Sequence, residues 1–332
     1  METSLRPMST SQVLDRTFFL YRNNFVLFAG IALVTPTLNL IAQLAQLAIF
    51  GMPVTPDRAG MDPSADLQAL QGIFGRAAVA GLIGLIIYTI GYAITTGATV
   101  RAVSMLHLGR TTTIKQSYDR VKPIWGRLIL LVMRVFFVAI APLLACYALF
   151  VALLLAVFAI GRGGAGSVGG ALTVGLGMLV LSAGMLAALV WGVIAYCRYA
   201  LAVPACAIED LPVKYSLIRS KFLTRGNLGR VFAVYLLTAI ISVAVKGLLQ
   251  IPIYVSSGVS LRGGFHISPG WLAWMYASDF VGSLFAGPIA AIAMALVYYD
   301  ERVRKEAFDL QLMMEAMGTG EATQIASAQS AQ

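Results

Sequence analysis

VFFVAIAPLLACYALFVALLLAVFAIG, residues 135–161, lies between Arg134 and Arg162 without a single charged side chain. A helix needs about 20 apolar residues to cross the hydrocarbon core of a bilayer, so an uncharged run of this length reads as a spanning helix. The same pattern recurs outward from it. No charge falls between Arg22 and Asp57, between Arg76 and Arg101, or between Arg162 and Arg198. Two further apolar stretches carry one charge each, Lys246 within about 231–255 and Asp279 within about 271–299. The fold class expected is therefore all-α: a polytopic membrane protein with six transmembrane helices, at about 25–50, 77–105, 128–160, 171–200, 231–255 and 271–299. Composition agrees, with 59% hydrophobic and 12% charged residues and a mean hydropathy of +0.82. A soluble domain carries about 25% charged residues.

Basic residues set the expected orientation. Arg6, Arg16 and Arg22 precede the first span, and Arg101, Arg110, Lys115, Arg120, Lys122, Arg127 and Arg134 cluster between spans 2 and 3. Arg198, Lys214, Arg219, Lys221, Arg225 and Arg230 lie between spans 4 and 5, and Arg302, Arg304 and Lys305 follow span 6. The opposite side keeps Arg58, Arg76, Arg162, Lys246 and Arg262. Short loops rich in Lys and Arg stay cytoplasmic, which predicts both termini inside a bacterial cytoplasmic (inner) membrane. The net charge of +9 is then a topology signal and not the footprint of a nucleic-acid binder. The first apolar run starts only near Asn24 and reaches Phe50, too late and too long for a cleaved signal peptide.

The chain divides into a cytoplasmic N-terminal segment (1–24), a membrane domain (25–316) and a tail (317–332) rich in Ala, Ser, Gln and Gly that is expected to be disordered. The far-side connections, 51–66, 161–170 and 256–270, read as loops too small to fold alone.

The cytoplasmic segments resemble one another. Leu14-Asp-Arg-Thr-Phe-Phe-Leu-Tyr-Arg-Asn-Asn-Phe25 aligns without a gap on Leu217-Ile-Arg-Ser-Lys-Phe-Leu-Thr-Arg-Gly-Asn-Leu228. Thr113-Ile-Lys-Gln-Ser-Tyr-Asp-Arg-Val-Lys122 aligns on Pro212-Val-Lys-Tyr-Ser-Leu-Ile-Arg-Ser-Lys221. Each segment precedes an odd-numbered span. The chain reads as three units, each a basic amphipathic helix followed by a transmembrane hairpin; the alternative is convergence among basic helices that share an interface. Helices beginning near Val13, Ile114 and Val213 are expected to lie in the membrane plane against anionic headgroups, or to dock a partner.

Polar groups inside the spans are costly and mark candidate sites. Lys246 lies 16 residues beyond Arg230 and Asp279 20 residues before Tyr299, which puts the two at similar depth in the outer half if spans 5 and 6 form a hairpin. Asn39, Gln43 and Gln46 form a stripe on one face of span 1, able to bond across helices or line a wet cavity. Gly184, Ala188 and Gly192 on span 4, and Ala286, Ala290 and Met294 beside Gly287 and Ala291 on span 6, offer small-residue contact faces. Pro36, Pro142, Pro204 and Pro288 are expected kinks or span ends. Two histidines, His107 and His266, and three scattered cysteines supply no metal or nucleophile pattern, so neither catalysis nor a cofactor is expected.

Three stretches resemble a known family. They are Leu14-Asp-Arg-Thr-Phe-Phe-Leu-Tyr-Arg22, then residues 208–226 from Ile208-Glu-Asp-Leu-Pro-Val-Lys-Tyr-Ser through Leu217-Ile-Arg-Ser-Lys-Phe-Leu-Thr-Arg-Gly226, and Tyr298-Tyr-Asp-Glu-Arg-Val-Arg-Lys-Glu-Ala-Phe-Asp-Leu310. Together they resemble the bacterial membrane domain found attached to some glycerophosphoryl diester phosphodiesterases. The resemblance covers roughly residues 6–314. In family members that are enzymes, catalysis belongs to a separate soluble barrel, whose motifs this chain lacks, so it implies a stand-alone member of unestablished function. Asp15, Arg16, Arg22, Glu209, Arg219 and Ser220, with Asp300, Arg302, Arg304, Glu306 and Asp309, are the motif positions, expected to form a cytoplasmic collar. Within it, Asp300–Arg304, Arg302–Glu306 and Lys305–Asp309 are spaced i, i+4, while Glu209 and Asp210 face a choice among Arg16, Arg120 and Arg219. The expected role is a non-catalytic scaffold or subunit of a membrane complex, a homo-oligomer or bound to a protein partner. The alternative is a transporter or a lipid or small-molecule channel using Lys246, Asp279 and the span-1 amides.

Overall fold

The computed structural model describes residues 8–51, 63–161, 168–260 and 269–306. Among these there is no strand, and six helical stretches are long and apolar enough to cross a membrane. In chain order the helices are α1 (Thr10–Asn23), α2 (Phe25–Ala32), α3 (Val34–Phe50), α4 (Pro63–His107), α5 (Ile114–Val121), α6 (Trp125–Gly161), α7 (Val168–Tyr199), α8 (Ala202–Glu209), α9 (Val213–Thr224), α10 (Leu228–Ser260) and α11 (Pro269–Glu306). A single 3₁₀ turn, Lys122–Ile124, links α5 to α6. The first span keeps its predicted bounds of 25–50, while the other spanning helices begin before theirs and most run past them, because helix does not stop where charge begins. The connection expected over 51–66 is shorter than that, since α4 already starts at Pro63, a residue whose fixed φ suits a first helical turn. The tail, most of the far-side connections and Asp309 fall outside the described residues.

Local chemistry accounts for the boundaries. Ser9 and Thr113 each cap a helix through a reciprocal box with the glutamine three residues on, Gln12 and Gln116. The same device thus opens the first two units, whereas the third opens on extended Pro212. Pro36 has no N–H for the Ala32 carbonyl, and α2 gives way to α3 at Leu33. Pro142 and Pro288 sit inside helices that continue through them, and Pro204 lies within the first turn of α8.

The spans pack as three hairpins, α2/α3 with α4, α6 with α7, and α10 with α11. The second arm of each hairpin meets the first arm of the next: α4 packs on α6, α7 on α10, and α11 on α2 and α3. The short helix of each unit rests on the hairpin before it, with α5 on α4, α9 on α7 and α1 on α11. This cyclic order is the one expected of three repeated units, and α4 also packs directly on α11 across it.

One expectation is corrected. Met8, just before α1, donates to Asp300, and Tyr21 near its end donates from Oη to the Phe285 carbonyl at 2.9 Å. Asp300 and Phe285 lie about 22 Å apart along α11 at 1.5 Å per residue. A helix set across α11 could not reach both, so α1 runs antiparallel beside it and does not lie flat around the bundle. The reason is its buried stripe, Val13, Thr17 and Leu20, which belongs to the protein core.

That core is one-sided. Its members come from α1, α2, residues 93–103 of α4, 121–135 around the α5/α6 junction, α8, α9, the start of α10 and 292–298 of α11. All lie at the end that carries α1, α5, α8 and α9, here termed the collar end. Beyond it fewer side chains are buried, and a cavity lies between the spans from about the level of Thr99 and Ala291 outward.

Candidate functional site

Two polar constellations emerge, one at each end of the bundle. At the far end Lys246 of α10 donates from Nζ to Asp279 Oδ1 of α11 at 3.1 Å. Asn39 Nδ2 of α3 donates to Asp279 Oδ2 at 3.0 Å, Gln43 Nε2 reaches the same oxygen at 3.5 Å, and Ser283 Oγ reaches Oδ1 at 3.5 Å. The depth argument from the sequence therefore corresponds to a contact that ties α3, α10 and α11 together. Gln46 leaves the stripe and donates to the Ala80 carbonyl of α4 at 2.8 Å. A glycine is required beside this cluster: a Cβ on Gly282 would lie 2.8 Å from Lys246 Cγ.

Lys246 also faces a cavity of about 570 Å³ on the axis of the bundle, lined by all three hairpins. α10 presents Tyr235, Thr238, Ser242 and Lys246 to it, at helical spacing on one face. α4 presents Tyr88, Tyr92, Thr95 and Thr99. Between them α6 and α7 contribute mostly apolar groups such as Phe136, Leu143, Leu189 and Val193, with Tyr196 of α7 the polar exception. The cavity is thus amphipathic in cross-section. Its polar side is internally tied: Tyr92 and Tyr196 hydroxyls are 3.2 Å apart, the Tyr196 and Tyr235 rings are 4.7 Å apart, and Thr35 donates to Thr95 at 2.7 Å. Sequence reasoning singled out Lys246 and missed these tyrosines and threonines. The available signal was the run Tyr235, Thr238, Ser242, Lys246, whose spacing leads straight to the charge.

The small-residue faces divide by role. Gly192 lets α7 approach α6, since a Cβ there would sit 2.8 Å from the Ala139 carbonyl oxygen. Gly184 faces Cys146, and Ala188 is buried. On α11, Ala286 and Ala291 are buried, whereas Gly287 borders the cavity with open space before it.

At the collar end the family-motif positions form an ionic network. Arg219 of α9 donates to both oxygens of Glu209, at 3.0 and 3.1 Å, and to Glu306 at 2.7 Å. Tyr298 donates to Glu209, and Arg302 bridges Glu209 and Glu306 at 3.6 and 3.2 Å. Burial opposes the charge on Arg219, but its bonds to Glu306 and Glu209 outweigh that and raise its pKa. Arg230 of α10 pairs with Asp300 and, at 3.0 Å, with Glu301; Arg304 adds 2.8 Å to Asp300. Lys305 caps the end of α9 through the Phe222 and Arg225 carbonyls at 2.9 and 2.6 Å. Ser220, fully buried, donates to the Arg198 carbonyl that ends α7 at 3.0 Å.

Asp210 adopts a left-handed conformation, φ 53°, to close α8. Two arginines hold it there, Arg101 on the carboxylate at 2.9 Å and Arg127 on the carbonyl at 2.7 Å. Asp210 thus takes Arg101 as partner and Glu209 takes Arg219; Arg16 and Arg120 ion-pair with neither. Asp15, Arg16 and Arg22 make no ion pair among the described residues; Arg16 instead lies 5.7 Å over the Phe19 ring. α1 therefore joins the collar through its backbone at Met8, whose carbonyl accepts from Arg230 and Arg304 at 2.7 Å each.

Among the described residues no three His, Cys, Asp or Glu side chains gather to hold a metal ion. No family model, no curated protein and no solved structure matches this chain.

Proposed function

We propose that this chain is a carrier-type membrane protein that binds an amphipathic small molecule in its central cavity and does no bond-making chemistry. The observation behind the proposal is the cavity itself. Its volume falls within the few hundred to 1,000 Å³ usual for small-molecule sites, it touches all three hairpins, and its lining joins hydroxyl and ammonium groups from α4 and α10 to a largely apolar surface from α6 and α7. The scaffold or subunit role expected from the sequence has no comparable observation behind it. The test compares thermal unfolding in phosphatidylcholine nanodiscs with and without decan-1-ol, for the unaltered protein and for Gly287→Leu, which fills the open space. A shift of several degrees confined to the unaltered protein is expected; equal shifts in both overturn the reading.

The collar is proposed to face the cytoplasm of a bacterial inner membrane, with exposed Arg22, Arg110, Lys115 and Lys214 near anionic headgroups. We also place the chain beside the membrane domain of the phosphodiesterase-linked family, on the three motif stretches. Orientation is tested by cysteine labelling after replacing Cys146, Cys197 and Cys206. Thr111→Cys, exposed at the collar end, is expected to react only from the cytoplasm, and Gly270→Cys, exposed at the far end, only from the periplasm. The reverse pattern inverts the topology.

A further inference from the structure

The Lys246–Asp279 pair is unequal in its attachments. Asp279 is held by two amides from α3 and a hydroxyl from its own helix besides the ammonium. Among the described residues Lys246 has one hydrogen-bond partner, Asp279, on a group with three donors. Its side chain is 37% exposed and belongs to the cavity wall, which Asp279 does not line. Lys246 can therefore turn to a guest while Asp279 stays anchored.

Charge then constrains the guest. The pair is neutral, and among the described residues Lys246 is the one charged side chain bonded to Asp279. Around the carboxylate stand Asn39 and Gln43 of α3 and, from its own helix, Ser283, with Tyr88 of α4 within electrostatic reach. A monoanion bound to Lys246 would leave one uncompensated negative charge in a medium of low dielectric, a costly state. One proton on Asp279 restores neutrality, and a protonated carboxyl still accepts from Asn39 and Gln43.

Building on the carrier reading, we propose that the cavity takes up an amphipathic monoanion together with one proton, the anionic head on Lys246 Nζ, the proton from solvent on Asp279 and the tail against α6 and α7. The polar wall of Ser242, Thr238 and Tyr235 continues below the head. A cationic amphiphile is disfavoured by the same geometry, since it would meet the ammonium first.

The probe is radiolabelled decane-1-sulfonate, which stays monoanionic throughout the range used, so any pH dependence belongs to the protein. Binding is measured in phosphatidylcholine nanodiscs from pH 8 to 6. Affinity is expected to rise by up to about tenfold for each unit the pH falls, the limit for uptake of one linked proton. Asp279→Asn removes the slope and keeps binding. Lys246→Met loses sulfonate binding but still responds to decan-1-ol, and Lys246→Arg retains both. A flat profile in the unaltered protein, a slope that survives Asp279→Asn, or sulfonate binding that survives Lys246→Met each overturn the proposal. If decan-1-ol binds while sulfonate affinity is flat, only the proton-coupled anion fails; if neither binds, the carrier reading fails with it.

Discussion

Replacing Arg230 with leucine is expected to destabilise the protein by about 3–5 kcal/mol, the usual cost of stripping one partner from a buried ion pair. Arg230 serves two carboxylates at once, Asp300 and Glu301, whose side chains have no exposed surface. Asp300 keeps Arg304 when Arg230 is gone, but among the described residues Glu301 keeps only the Asn227 amide at 2.7 Å, and an amide brings no charge. The Met8 carbonyl loses one of its two arginine donors as well, which loosens α1 from α11. Thermal unfolding in mild detergent measures the effect, with Arg225→Leu as control. Arg225 is exposed, makes no ion pair among the described residues and should change stability by no more than about 0.5 kcal/mol. Equal behaviour of the two variants would mean that water or lipid reaches Glu301.

The second large effect is expected at Gly192. Its substitution by leucine forces a side chain against the Ala139 carbonyl, which a Cβ would meet at 2.8 Å. Backbone cannot rotate aside as a side-chain tip can, so α6 and α7 must separate. Overpacking of this kind costs about 1–3 kcal/mol, and the backbone contact places Gly192 at the upper end. Gly192 also lines the cavity, so decan-1-ol binding should weaken in parallel. Gly287→Ala is the control: it borders the same cavity, but its Cβ meets nothing within 4 Å, and stability should be unchanged. Both are read as thermal midpoints; a Gly192→Leu protein as stable as the control would show that the hairpin yields freely.

The spans were legible because charge is expensive in lipid, and gaps such as 135–161 carry that expense on their face. Lys246 and Asp279 were legible for the same reason, and their similar depth followed from helical rise alone. The tyrosine and threonine wall was not. Tyr92, Thr95 and Tyr196 are cheap enough in a membrane helix to pass as ordinary span residues, and only the packing of three hairpins turns them inward. The path of α1 was misread because Val13, Thr17 and Leu20 make an apolar stripe that suits a lipid surface as well as a protein one. α8 escaped notice because its eight residues run on from span 4 without a charge until Glu209. The collar pairs were partly legible: i, i+4 spacing gave Asp300–Arg304 and Arg302–Glu306. The partners of Arg219 and Arg230 depended on which helices converge.

A bundle whose core is concentrated at one end, with a cavity between its spans beyond, can act as a set of levers with a common fulcrum. From Asp300 to Asp279 is about 31 Å along α11 at 1.5 Å per residue. A tilt of about 5° at the fulcrum, too small to break the network around Arg230, moves the far tip by roughly 3 Å over that length. That displacement is the difference between a hydrogen bond and none at Lys246, so small strains at the collar end are geared up into the opening and closing of the ion pair.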